Sequence, residues 1–138
     1  MKSIRNIISF VAIGATVFLA SCAKDEDDPT GTGDARDKYT GSWTCNENSQ
    51  VFGTSTYTIT ITKDVTSANQ IIAKNFYHLG TNTNTVIVVD GNNMTIQNQL
   101  VSTFTLSGTG NYSNGNLTFN FSANDGQQPD QVTINAHH

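Results

Sequence analysis

Hydrophobic and polar positions divide the chain into three regimes. Residues 7–20 form an almost unbroken apolar run, with hydroxyls only at Ser9 and Thr16. Residues 23–38 are polar, carry Pro29, Gly31 and Gly33, and offer no apolar period to bury. Such a stretch is expected to be disordered and to act as a flexible linker. From Tyr39 onward the pattern becomes alternation. Tyr57, Ile59 and Ile61 are separated by threonines, and Phe104 and Leu106 by Thr105. Leu117, Phe119 and Phe121 repeat the pattern, as do Val132, Ile134 and Ala136. A period of two is that of a strand with one buried face.

Turn residues punctuate the alternating runs. Asp90-Gly91-Asn92-Asn93 and Ser113-Asn114-Gly115-Asn116 carry the Asp-Gly and Asn-Gly pairs that favour type I′ hairpins. Residues 80–84 and 124–129 read as looser loops. The spacing predicts eight strands, near 42–49, 55–63, 70–78, 85–90, 93–98, 101–110, 116–123 and 130–136. Residues 71–77 are dense enough in apolar side chains to be covered on both faces. Short strands joined by hairpins make an all-β antiparallel up-and-down meander. Few lysines or prolines are available to protect an open sheet edge, so closure into a small barrel is expected.

Composition narrows the picture. Residues 39–138 suffice for one domain. They are rich in Thr and Asn, and poor in the Leu, Ala and Glu that helices prefer. Lys63 and Lys74 face Glu47, Asp64, Asp90, Asp125 and Asp130 in this region, and the whole chain has a formal net charge of −4. With no basic stripe to neutralise phosphates, nucleic acid is excluded as a partner.

Lys2 and Arg5 precede the apolar run, and Leu19-Ala20-Ser21-Cys22 closes it. The run is shorter than the roughly 20 residues a membrane-spanning helix needs, and fits a signal peptide over residues 1–21. Leu-Ala-Ser-Cys at that place resembles the lipobox of bacterial lipoproteins. The resemblance implies cleavage before Cys22 and acylation there, with palmitate among the chains. Two or more acyl chains hold a protein stably on a bilayer. Lys24, Asp25, Glu26, Asp27 and Asp28 follow, a run that resembles the export signal of Bacteroidetes surface lipoproteins. It implies an outer-membrane, cell-surface location. Residues 22–38 would then be the lipidated tether, roughly 20–25 Å in root-mean-square length over its flexible part.

Tyr39-Thr40-Gly41-Ser42-Trp43 is similar to the Gly-x-Trp motif of lipocalins and other calycins, in which the Trp plugs the closed end of the barrel. Asn75-Phe76 and Gly108-x-Gly110 extend the likeness to small lipocalin-like domains, which implies such a domain over residues 39–138. The family's Arg that stacks on the Trp has no counterpart between 39 and 138, and its Thr-Asp-Tyr loop motif is missing.

Isolated reactive residues have bland readings. Cys45 shares its strand phase with Trp43 and is expected to be a small core residue. His78 is expected at the surface, His137-His138 as a free tail, and Glu47 as a solvated acid. Asp125-Gly126 and Asp130 lack the ligand spacing of a calcium loop and read as a turn. No catalytic motif, metal set or cofactor loop is legible, so no enzyme activity, metal or cofactor is expected. Two functions stay open. The barrel can bind a small apolar ligand or glycan, lined by Trp43, Tyr57, Phe76, Tyr77, Phe104 and Phe119. Alternatively it is a solid-cored module that meets another surface protein through its loops. A pocket of at least ~300 Å³ distinguishes the first.

Overall fold

The computed structural model describes residues Gly33–His138. The apolar run, Cys22 and the export-like cluster Lys24, Asp25, Glu26, Asp27 and Asp28 lie outside the described residues. Eight strands follow in order: β1 (Gly41–Ser49), β2 (Gly53–Lys63), β3 (Gln70–Lys74), β4 (Asn84–Asp90), β5 (Asn93–Val101), β6 (Phe104–Ser113), β7 (Asn116–Asn124) and β8 (Pro129–His137). Each pairs antiparallel with the next, and β8 returns to β1, so the meander closes into a barrel. Closure leaves no end strand open, in keeping with the scarcity of edge lysines and prolines, although β3 pairs with only Thr60–Lys63 of β2.

Alternation places the core. Ile59 and Ile61 of β2, Leu117 and Phe119 of β7, and Ile134 and Ala136 of β8 are all buried. Gly108 and Gly110 sit opposite Phe121 and Phe119 on the inward face. A Cβ at Gly110 would lie 2.6 Å from the Phe119 ring, and one at Gly108 would overlap the β7 backbone. The two glycines therefore let β6 and β7 close tightly, and the neighbouring rings fill the barrel.

One pole is sealed by the chain's approach to β1. A 3₁₀ turn (Asp37–Tyr39) lays Tyr39 across it, where the hydroxyl donates to the Gly91 carbonyl at 2.8 Å. Trp43 is fully buried and its indole N–H donates to the Tyr39 carbonyl at 2.8 Å. Arg36 reaches the carbonyls of Asp64, Ser67 and Gln70 and pins the β2–β3 turn. The folded unit thus begins at Gly33, ahead of the onset of alternation at Tyr39. The last residues are not a free tail: His137 pairs with Thr44, and the His138 ring packs on Trp43 with centroids 3.7 Å apart.

The opposite pole is built from the β1–β2, β3–β4, β5–β6 and β7–β8 connections. Here the structure departs from the sequence pattern. The third strand stops at Lys74 instead of running to 78, because Asn75 turns left-handed at φ 61°. Tyr77 and His78 are left-handed as well, at φ 54° and 55°. The chain folds into a short 3₁₀ turn (Phe76–His78) over the barrel end. Phe76 becomes a plug, fully buried against Phe119 and Phe121 with centroids 5.1 and 5.0 Å away.

β5 differs too. It continues past residue 98 through a bulge between Ile96 and Gln99. Backbone pairing with β4 covers only Val88–Asp90, and beyond it the Gln99 amide bridges the gap, bonding Val86 N at 2.9 Å and Val86 O at 2.6 Å. Asn114-Gly115 has both residues at positive φ, as a type I′ turn requires. In the β4–β5 turn only Gly91 does, which is the type II′ pattern and not the expected I′.

Candidate functional site: a carboxylate-bearing cleft at the barrel rim

The inward positions of β1 run Trp43, Cys45, Glu47 and Ser49, apolar at the sealed pole and polar at the other. On β8 the series Ala136, Ile134, Val132 ends in Asp130. Two carboxylates consequently occupy core positions at the same pole. Glu47 is 7% exposed and Asp130 2%. The expectation of a solvated Glu47 is corrected: its strand phase, set by Trp43 and Cys45, turns it inward.

Each carboxylate is held by hydroxyls. Tyr57 donates to Glu47 Oε2 at 2.5 Å, and Ser55 lies 3.4 Å from Oε1. Asp130 accepts from Ser49 Oγ at 2.5 Å, from the Tyr77 hydroxyl at 2.6 Å and from Val51 N at 3.0 Å. The ion pairs among the described residues join Asp34, Arg36, Asp37 and Lys63, all outside this cluster. Neither rim carboxylate has a cationic partner in that set.

Burial raises the Glu47 pKa; hydrogen bonds from Tyr57 and Ser55 and the nearby His78 oppose the rise, and the Asp130 charge reinforces it. Burial and donation to Glu47 hold the Tyr57 phenol far above its ordinary value. Burial and donation to Asp130 do the same for Tyr77. The Cys45 thiol is pushed up to about 12, by burial first and by Glu47 second. It is a packed core group without thiolate character at neutral pH.

A cleft of about 220 Å³ opens over Glu47, walled by Phe52, Tyr77, Leu79 and Phe104 with Ser55 and His78 at its sides. Tyr77 meets Phe104 edge-on at 5.2 Å and 81°, and Phe52 at 6.4 Å and 57°. His78 is exposed, as expected, but it stacks flat on Tyr57 at 5.0 Å and 6°. Phe52, 68% exposed, stands at the lip.

Of the six aromatic candidates, Tyr77 and Phe104 line this cleft. Tyr57 sits behind it, with its hydroxyl on Glu47. Trp43, Phe76 and Phe119 are fully buried in the packed interior. Glu47, Asp130 and Phe52 escaped the sequence reading as site residues. Phase with the neighbouring core positions was the signal for the two acids. A second concavity, about 580 Å³ and open, runs along the outer wall of β6, β7, β8 and β1; Asn48, Asn120, Ser122, Gln131 and Thr133 help line it.

Fold and site define a small up-and-down β-barrel with a filled interior and an acidic, aromatic rim. Compared with known proteins, the chain matches no family model, no curated protein and no solved structure.

Proposed function

We propose that this protein is a lipid-anchored outer-membrane lipoprotein whose barrel is a recognition module that works at its rim and not as a container. Cys22 carries the acyl chains, and the Lys24–Asp28 run directs the protein to the cell surface. The observation that carries the rim reading is the filling of both poles. Tyr39 and Trp43 seal one and Phe76 plugs the other, which leaves the cleft of about 220 Å³ over Glu47, below the roughly 300–1,000 Å³ of drug-sized ligand sites and sized for a smaller molecule. An eight-stranded barrel packed by side chains has no room for a lipocalin-type interior ligand. Left-handed Tyr77 and His78 add backbone strain at the cleft wall, which proteins concentrate at functional sites.

The anchor is tested by palmitate labelling and fractionation of Cys22→Ser cells. Loss of label and release from the membrane are expected; unchanged labelling would overturn the anchor. The rim is tested by native mass spectrometry of the detergent-solubilised protein from its own cells. A small molecule retained by the wild type and lost in Phe104→Ala is expected. Retention of an equal amount by the variant would count against the rim.

The outer wall favours a second reading. Asn48, Asn120, Gln131, Ser122 and Thr133 present amide and hydroxyl groups across an open groove, the chemistry that meets a glycan or the polar surface of another protein. Asn120→Ala would abolish retention on an immobilised glycan under this reading and leave it unchanged under the first.

A further inference from the structure

Resting on the rim reading, we propose that the cleft over Glu47 binds a small organic cation, an ammonium carried on a short apolar body. Four of its seven lining residues, Phe52, Tyr77, Leu79 and Phe104, are aromatic or aliphatic, and the one carboxylate among the seven is Glu47. A carboxylate this deeply buried normally acquires a cationic partner or is replaced by an apolar residue, because its desolvation is otherwise uncompensated. Here the described residues supply hydroxyl donors instead. Tyr57 and Ser55 orient the carboxylate without neutralising it. Among the described residues no Lys or Arg pairs with Glu47, and only the His78 imidazole at the side of the cleft acts on it from the cationic side. An ammonium group entering from solvent would supply the missing partner.

The walls suit the same ligand. Tyr77 stands at a steep angle to both Phe104 and Phe52, so ring faces and edges form a corner around the opening. A cation is attracted to ring faces, and more strongly where water is excluded. Tyr77 donates its hydroxyl to Asp130 at 2.6 Å, which feeds electron density into the ring that would face the cation. Asp130 thereby acts as a positioning residue behind Tyr77 and adds a second negative charge to the pole. Anions are repelled by both carboxylates. A sugar would need several donors and acceptors, and this cleft offers Ser55, His78 and Glu47 against four apolar walls.

The test uses the full-length chain in non-ionic detergent, titrated calorimetrically with choline and with its neutral isostere 3,3-dimethylbutan-1-ol. Choline is expected to bind at least about tenfold more tightly than the alcohol, a difference of about 1.4 kcal/mol. Glu47→Gln is expected to erase that preference, and Phe104→Ala to weaken both probes. Because Glu47→Gln keeps the shape and the Tyr57 acceptor, its folded state is checked by its denaturation midpoint. Should both probes bind equally to the wild type and be lost in Phe104→Ala, the cation assignment fails while the rim stands as a recognition site. Should neither bind, or should Phe104→Ala leave binding intact, the rim reading fails with it.

Discussion

Along β1 and β8, Glu47 and Asp130 take places that alternation gives to apolar side chains, and the consequences can be measured residue by residue. The folded Glu47 carboxyl titrates above its ordinary value of 4.5, chiefly because of burial. In the window above 4.5 the folded state therefore holds more protons than the unfolded one, and this group's contribution to stability falls as pH rises through it. Glu47→Gln removes that loss. Urea denaturation should find the variant's advantage over the wild type larger at pH 8 than at pH 4; an advantage equal at both would contradict the assignment. Thr85 makes a second case. It is fully buried on β4, and its hydroxyl is without a hydrogen-bond partner among the described residues. Thr85→Val should stabilise the protein by about 1–2 kcal/mol, since an orphaned polar group costs about that much. Strand phase carries the signal for both burials, yet residue type points the other way: an acid such as Glu47 is expected in solvent, and Thr85 gives no sign of its burial. What phase could not supply was the Tyr57 and Ser55 hydroxyls that hold the charge, because they arrive from a neighbouring strand.

At the scale of elements, the eight strands were legible because Thr and Asn alternate with apolar residues, and Gly or Asn marks several turns. Two features were not. Residues 71–77 read as one dense strand, yet Asn75, Tyr77 and His78 adopt left-handed backbone without any glycine to announce it. Burial of Phe76 against Phe119 and Phe121 overrides the local preference. Likewise residues 99–100 read as a break between strands, whereas the bulge after Ile96 carries β5 on to Val101 and frees Gln99 to bridge to Val86. Phe76→Ala should cost about 3–5 kcal/mol, the range for emptying a buried aromatic site. Gly108→Ala should cost about 1–3 kcal/mol, because the added methyl overlaps the backbone of Asn120 and Phe121 and forces β6 and β7 apart. Thermal denaturation measures both. A Gly108→Ala protein with unchanged midpoint would mean that the strands are not packed as closely as described.

At the scale of the molecule, the barrel has two unlike poles. One holds the start of the described residues, where Arg36 pins the β2–β3 turn and Trp43 joins Tyr39 to the His138 ring. The other carries Glu47, Asp130 and the aromatic lip. The sequence made the closed meander legible, but not that polarity, which depends on which inward position each strand ends on. The most direct measurement is chemical-shift mapping of the isotopically labelled full-length protein during a choline titration. The expected result is a set of shifts confined to Glu47, Phe52, Ser55, Tyr77, His78, Leu79 and Phe104. Shifts centred on Trp43, Ile87 or Phe119 would place the ligand inside the barrel, and these or an unchanged spectrum would contradict recognition at the rim.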